Sequence, residues 1–229
     1  VSLRKEKVDT FWQTGKLDPE CNVQFGEGGA GTFSDGKLTT RIKDIRCRKV
    51  LTEFVNFGAP DEILYSNKPH VGTDILKDVV KNIRKQIIAL GGEVRFSSKL
   101  EYIKSKDGKI RSIIVNGEEI PCDALVLALG HSSRDTYEML NDIGIFMEPK
   151  AFAIGVRIEH PQEMINVGQY GKMTSHPRLQ AASYNLTYQS KSLGRGIYSF
   201  CMCPGGVVVA AASEENRLVS NTILTLHVA

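Results

Sequence analysis

A glycine-rich stretch over residues 22–41, "NVQFGEGGAGTFSDGKLTTR", holds the residues whose types and spacing come closest to a known chemical use. Gly26, Gly28 and Gly31 form the pattern G-x-G-x-x-G, which in dinucleotide-binding turns brings the backbone close to a pyrophosphate. That use also needs a preceding buried strand, a helix that begins at the third glycine and an acidic residue about 20 positions later. Turn-forming residues follow Gly31 instead, and no buried strand carries Asp44. We therefore expect the match to the pattern to be accidental.

The same loop has a second interpretation as a ligand-binding loop of another kind. Five glycines between Gly26 and Gly36 allow the backbone to approach a ligand and to point N–H groups at it. The side chains of Thr32, Ser34 and Lys37 would add hydrogen-bond donors. The alternative is a surface loop without a ligand, and composition alone leaves both open.

Cysteine and histidine supply the remaining chemical candidates. Cys201 and Cys203 lie in a run typical of a strand, where both thiols would point to one face. They are either a redox pair or two small buried residues, and we prefer the second because no histidine or helix N-terminus is near to activate a thiol. His131 follows a predicted strand and is a proton carrier or simply exposed to solvent, of which we prefer the second. No zinc-binding spacing accompanies the cysteines, so no metal site is expected.

Composition limits the classes of function. The chain has 229 residues, of which 41% are hydrophobic and 24% charged, and its net charge is +3. This charge is small and scattered, so we expect no nucleic-acid partner. The longest apolar run, residues 124–129, is too short to span a bilayer, so we expect no membrane partner. Five cysteines without disulfide spacing favour a reducing, cytoplasmic location.

Helical spacing of apolar residues predicts three helices in the first 90 residues. They cover residues 3–15, 45–57 and 74–90. We expect Thr73 to cap the third helix at its N-terminus and Gly91-Gly92 to end it.

A period of two then predicts a small antiparallel meander. Its strands lie in residues 93–105, 109–116 and 118–122, joined by the turn dipeptides Asp107-Gly108 and Asn116-Gly117.

Apolar runs predict further strands after the meander. Residues 123–130 resemble a strand buried on both faces of a parallel sheet, followed by a helix that Ser132 or Ser133 caps. Residues 151–159 and 196–212 indicate strands of a second, β-rich region.

Four segments of the chain resemble, in the same order, segments of bacterial FAD-dependent dehydrogenases. They are "FGEGGAGTFSDGKLTTR", "ALVLALGHSSRDT", "FAIGVRIEHPQ" with "QYG", and "YSFCMCPGG". The resemblance implies an α/β fold, α+β in part, of the glutathione-reductase-like flavoprotein class. It implies a portion of an FAD-binding domain with a small meander over residues 1–148 and part of a β-rich substrate domain over residues 149–229.

The resemblance also implies FAD as cofactor and a set of residues around it. The glycine loop resembles the segment that packs beside FAD, the strand at Leu100 resembles one that contacts the adenine, and Gly130 resembles a glycine that the cofactor passes closely. The implied cofactor-binding residues are Gly26, Gly28, Gly29, Gly31, Thr32, Ser34, Gly36, Lys37, Leu100 and Gly130. The resemblance identifies no catalytic residue.

The chain departs from the family pattern at both ends. Family members open with a βαβ unit that carries the true pyrophosphate turn, which does not precede Val1, and the resemblance stops after about Asn221. We therefore expect the central portion of an FAD-dependent oxidoreductase that acts on a small-molecule substrate with NAD(P)H or another electron donor.

Two alternatives to that expectation remain open. One is a catalytically inert fragment that does not hold FAD alone and that folds only with further segments or through self-association. The other is an NAD(P)-binding module, which rests only on the glycine pattern.

Overall fold

The structure is a computed structural model in which the chain divides into two compact units. The first unit combines Val1–Ile83 with Val156–Ala229, and the second is Arg84–Gly155. The described residues are 2–33, 36–38, 40, 42–66, 69–200, 202–215 and 220–224. The division of the chain into domains at residues 148 and 149 stays a prediction.

The three predicted helices are confirmed to within two residues. They are α1 (Ser2–Thr14), α2 (Arg46–Asn56) and α3 (Thr73–Ala89). The expected N-cap is wrong by one position, because Thr73 is the first helical residue and the Leu76 N–H already bonds to the Gly72 carbonyl at 2.8 Å. Gly91, at a φ of +88°, ends α3 as expected, and the N–H of Gly92 bonds back to the Ile87 carbonyl at 2.9 Å.

Two apolar clusters form the core of the first unit. The first lies where α2 and α3 meet and contains Ala59, Ile63, Val71, Leu76 and Val79. The second joins α1 to the glycine loop and to a late segment of the chain, and it contains Val8, Val23, Phe33 and Ala211. The second cluster therefore positions the loop that the sequence singles out.

The first unit also contains a short helix and two antiparallel strand pairs. The helix is α5 (Gln162–Tyr170). The strands are β4 (Thr187–Ser190) with β5 (Arg195–Tyr198), and β6 (Gly206–Ala210) with β7 (Ser220–Leu224). The predicted strands in residues 196–212 are confirmed in part, since β5 and β6 lie there with a turn between them.

The predicted meander is confirmed as the sheet of the second unit. Its antiparallel strands are β1 (Leu100–Lys106), β2 (Lys109–Val115) and β3 (Glu118–Pro121). The structure starts β1 seven residues later than residue 93, where the prediction began it. Asp107 and Asn116 have positive φ angles of 55° and 49°, as tight hairpin turns require.

The second unit also contains the helix α4 (Arg134–Asp142). Ser133 precedes it at the N-cap position, as one of the two expected residues. Its hydroxyl does not cap the helix, however, because it donates to the Leu129 carbonyl at 3.2 Å.

Two predicted strands are wrong. Residues 123–130 and 151–159 form no strand, and most of their large side chains are exposed, with Val126 at 88% and Ile154 at 89%. A parallel strand buried on both faces needs neighbours on both edges and cover on both faces. The sheets within the described residues are all antiparallel, and none pairs with either segment. The structure is thus mixed α/β with small antiparallel sheets, which is compatible with α+β.

Within the described ranges, no helix combines the length and the apolar character that crossing a bilayer requires.

Candidate functional site

The glycine loop folds around the side chain of Arg4, which projects from α1. A guanidinium has five N–H donors, and the structure gives Arg4 five hydrogen bonds to the loop. The acceptors, with distances from Nε, Nη1 or Nη2, are the carbonyls of Asn22 (2.8 Å), Glu27 (2.9 Å), Val23 (2.7 Å) and Gly29 (2.9 Å) and the hydroxyl of Thr32 (3.2 Å). We call this arrangement the Arg4 cage.

The Arg4 side chain is buried in the cage, and its surroundings stabilise its positive charge. Arg4 is only 4% exposed, and its guanidinium lies 4.7 Å from the centre of the Phe33 ring, a cation–π distance. Burial lowers the pKa of Arg4 to about 10, so the side chain is still charged at neutral pH. Four carbonyl dipoles point their negative ends at this buried cation and replace the water it has lost.

Packing inside the cage explains why the loop needs glycine at two positions of the pattern. A Cβ on Gly26 would lie 2.8 Å from the Arg4 Cδ, and a Cβ on Gly28 would overlap the Thr32 Cγ2. Both glycines have positive φ angles, of 111° and 86°. Gly29, at a φ of 57°, has no heavy atom within 4 Å of the position that a Cβ would occupy.

The described loop residues do not fit the pyrophosphate of FAD. A pyrophosphate needs converging N–H groups, but here it is carbonyls that converge, and they converge on a cation. The N–H groups of Gln24 and Phe25 bond to the Asn22 Oδ1 at 2.9 and 3.3 Å, and that of Gly29 bonds to the Gly26 carbonyl at 3.0 Å. The pattern is followed by a 3-10 turn over Ala30–Phe33 rather than by an α-helix.

Lys37, at the end of the loop, reaches a segment that is remote in sequence. Its ammonium donates to the Met202 carbonyl at 2.9 Å and lies 3.3 Å from the Cys203 Sγ. Its backbone is fixed because residues 36–38 pair with residues 69–71. The Val71 N–H bonds to the Gly36 carbonyl at 2.9 Å, and the Leu38 N–H bonds to the Pro69 carbonyl at 2.8 Å.

The structure corrects the expectation that Cys203 lies in a strand. Cys203 lies three residues before β6 rather than in a strand. It also has a charged neighbour, Lys37, which the sequence could not indicate because 166 residues separate the two. Cys201 and Ser34 lie outside the described residues.

The remaining predicted cofactor residues occupy different places. Gly36 leaves no room for a Cβ because the Val71 carbonyl occupies that space, whereas a Cβ on Gly31 would lie 3.6 Å from the Leu76 Cδ2, an ordinary van der Waals distance. Leu100 pairs with Val115 in the sheet of the second unit. Whether these residues contact FAD stays a prediction.

Gly130 and His131 lie in the second unit in an exposed segment. Gly130 has a φ of +70° and no heavy atom within 4 Å of a Cβ position, and its carbonyl accepts a hydrogen bond from the Tyr137 hydroxyl at 2.7 Å. The ring of His131 lies 3.0 Å from the Ser132 hydroxyl. His131 therefore sits where solvent reaches it, as the preferred interpretation of the sequence expects.

Residues just before α5 connect parts of the first unit. The carboxylate of Glu159 accepts a hydrogen bond from the Val208 N–H at 2.6 Å, and the His160 ring lies 2.9 Å from the Tyr184 hydroxyl. Over the part of the chain that the structure describes, no three His, Cys, Asp or Glu side chains group together as metal ligands would.

Comparison with known proteins gives one relative for most of the chain and one family match for its later part. A protein of Clostridium beijerinckii, described as an uncharacterized protein, is 69% identical over 221 residues, which is 96% of this chain and 42% of the relative. The chain therefore spans less than half the length of that relative. Residues 151–225, which include Cys203 and β4 to β7, match the sequence model of the family described as FAD-dependent protein, C-terminal domain-like, and this match supports an FAD-dependent family.

Proposed function

We propose that this chain is the central portion of an FAD-dependent oxidoreductase. The observation that carries the proposal is the match of residues 151–225 to an FAD-dependent family. The order of the four segments over residues 22–213 supports it. In such an enzyme the flavin supplies the electron transfer, and the protein supplies position and electrostatics.

In the proposal, the electron-transfer site lies near the contact between Lys37 and residues 202–203. It joins the first of the four family-like segments to the last of them within one unit. An ammonium fixed at both its backbone and its tip is suited to stabilise negative charge that develops on a nearby group. We assign Lys37 this electrostatic role in the proposal.

Contacts within the chain guide which of the expected cofactor residues the proposal places first. Gly26, Gly28 and Gly36 are accounted for by contacts inside the chain. Gly29 and Gly130 have open space where a Cβ would be, which is what close approach of a cofactor to the backbone requires. The proposal therefore retains Gly29, Lys37 and Gly130 as the leading candidates and gives the Arg4 cage the role of a rigid support.

The substrate side of the proposal stays general. We propose a small-molecule substrate with NAD(P)H or another electron donor.

A second candidate function is favoured by the Arg4 cage. Because the loop presents carbonyls to a buried cation, this chain supplies no N–H cradle there for a pyrophosphate. A chain that does not hold FAD by itself is consistent with that geometry and with its 42% share of the relative's length.

Thermal unfolding with and without FAD tests both candidates. A ligand at 100 times its dissociation constant stabilises a protein by about 2.7 kcal/mol. We expect the Clostridium beijerinckii relative to melt at a higher temperature with FAD, and riboflavin at the same concentration, which lacks the pyrophosphate and adenosine, to have a smaller effect.

The same experiment on the 229-residue chain separates the two candidates. Stabilisation by FAD would favour the first candidate, and an unchanged melting temperature would favour the second. If neither protein carries flavin or responds to FAD, the oxidoreductase proposal is wrong.

A further inference from the structure

Cys203 and Lys37 form a thiol–ammonium pair, and the proposed electron transfer uses only the lysine of this pair. The Cys203 Sγ lies 3.3 Å from the Lys37 Nζ, and the thiol is half-buried. The second hydrogen bond of Lys37, to the Met202 carbonyl at 2.9 Å, fixes the ammonium beside the residue that precedes the thiol. The pairing of residues 36–38 with residues 69–71 fixes the backbone from which it projects.

The chemistry of such a pair is that of an activated thiol. The thiolate rather than the thiol is the nucleophile, and a lysine beside a cysteine favours the thiolate form. A half-buried position still admits a small reagent. We propose that Cys203 is a modification site that forms mixed disulfides with low-molecular-weight disulfides at neutral pH.

The step needs only the thiolate and the disulfide. The Cys203 sulfur attacks one sulfur of RS–SR, a bond forms between Cys203 and that sulfur, and the original S–S bond breaks. The second RS group leaves as a thiolate, which either keeps its charge or takes up the proton that Cys203 released, depending on its own pKa. Cys203 is oxidised, and half of the reagent is reduced. This reaction does not depend on whether the chain holds FAD.

The other cysteines provide an internal reference. Cys21, Cys47 and Cys122 are also free and half-buried. Cys21 and Cys47 have the arginines Arg4 and Arg46 in their electrostatic surroundings, so Cys122, in the second unit, is the appropriate comparison.

The test measures the rate of mixed-disulfide formation at each cysteine of the folded chain. The reagent is 5,5′-dithiobis(2-nitrobenzoate), and mass spectrometry of the peptides assigns the sites. The Cys201→Ser background removes the neighbouring thiol from the same peptide. We expect Cys203 to react at least about twofold faster than Cys122. Equal or slower reaction of Cys203 than of Cys122 in this background would overturn the proposal without any lysine variant.

Variants of the lysine test the cause. Lys37→Gln is expected to lower the rate of mixed-disulfide formation at Cys203 by roughly two- to fivefold, the range for a partly exposed charge pair. The rate at Cys122 should not change. Lys37→Arg keeps the charge and should keep most of the rate. Lys16→Gln, which removes an exposed lysine of the same unit, is the matched control for net charge and should have no effect.

A reagent of opposite charge completes the test. Cystamine is a dication, so the ammonium should disfavour it relative to the dianionic reagent at Cys203 more than at Cys122. Lys37→Gln should reduce that preference. An unchanged rate and an unchanged preference in Lys37→Gln, with the other cysteines reacting as in the wild type, would refute the role of Lys37.

Discussion

Arg4 is the residue that gives the glycine loop its shape. Its five hydrogen bonds to residues 22–32 arrange the loop carbonyls around one buried cation. The absence of a side chain at Gly26 and Gly28 leaves room for the side chains of Arg4 and Thr32. Packing inside the chain therefore explains the glycines at positions 26 and 28 of the dinucleotide-binding pattern.

Replacing Arg4 by lysine should destabilise the first unit strongly. Lysine has three donors on a tetrahedral ammonium, so at least two of the five acceptors lose their partner in a buried site. We expect Arg4→Lys to lower the free energy of unfolding, measured with urea, by roughly 2–4 kcal/mol. Lys5→Met, at the next and exposed position of α1, should change it by less than about 0.5 kcal/mol. Equal effects of the two substitutions would contradict the Arg4 cage.

Alanine substitutions at the adjacent glycines Gly28 and Gly29 compare a tightly packed position with an open one. In Gly28→Ala the new methyl group overlaps Thr32 and adopts a strained φ, and we expect a loss of roughly 2–4 kcal/mol of unfolding free energy. Gly29→Ala meets no atom and has the φ of an ordinary left-handed residue, so its cost should be about 1 kcal/mol. Chemical denaturation of both variants measures the difference. If Gly29→Ala lowers the unfolding free energy as much as Gly28→Ala does, the open space beside Gly29 does not explain the expected difference between the two variants.

At the scale of elements, local signals in the sequence predict local structure. The helical spacing of apolar residues located α1, α2 and α3 to within two residues, and the turn dipeptides located the meander. Hairpin turns depend on two residues that accept positive φ, so their signal is contained in the sequence itself.

The sequence contains no comparable local pattern for contacts between segments that are remote along the chain. The Arg4 cage joins residues 18 to 28 positions apart, and Lys37 meets Cys203 across 166 positions. The apolar runs at 123–130 and 151–159 show why burial is harder to predict than local structure. An apolar run indicates that a partner is needed, but it does not identify the partner, and these two runs have no strand pairing within the described residues.

The second hairpin of the meander should depend on the side chain of Asn116. Its Oδ1 accepts from the Lys99 N–H at 2.9 Å, and its Nδ2 donates to the Ser97 carbonyl at 2.7 Å. We expect Asn116→Ala to cost about 2 kcal/mol of unfolding free energy. The comparison is Asp107→Ala, at the equivalent positive-φ position of the first hairpin, which should cost about 1 kcal/mol. If Asp107→Ala costs as much as Asn116→Ala, the two hydrogen bonds contribute nothing.

The pair formed by Lys99 and Asp135 should make the second unit sensitive to acid. The Lys99 ammonium lies 2.8 Å from the Asp135 Oδ2, and this hydrogen bond holds the pKa of Asp135 below its ordinary value. Because the folded-state pKa is the lower one, the stabilisation is present above the unfolded-state pKa and is lost as the pH falls through the folded-state pKa.

The Lys99→Met variant isolates this acid-sensitive contribution. We expect it to lose less stability than the wild type between about pH 5 and pH 2, by under about 1 kcal/mol since the pair is half-exposed. Lys106→Met, an exposed lysine of β1, should keep the wild-type profile. Parallel profiles of Lys99→Met and the wild type, measured by urea unfolding across this range, would contradict the assignment.

At the scale of the whole molecule, the chain is two compact units with small antiparallel sheets and one family match in its later part. Because the chain spans 42% of the relative's length, the activity of the whole protein stays a proposal. The match of residues 151–225 is what ties this chain to an FAD-dependent family.

The most direct test of this account is the identity and amount of flavin in the Clostridium beijerinckii relative. The purified protein is denatured, and the released cofactor is separated by chromatography and quantified against the polypeptide. The account predicts FAD at about one molecule per chain, since a cofactor bound tightly enough to stabilise the fold survives purification. FMN in place of FAD, or no flavin in a folded protein that also fails to bind added FAD, would contradict it.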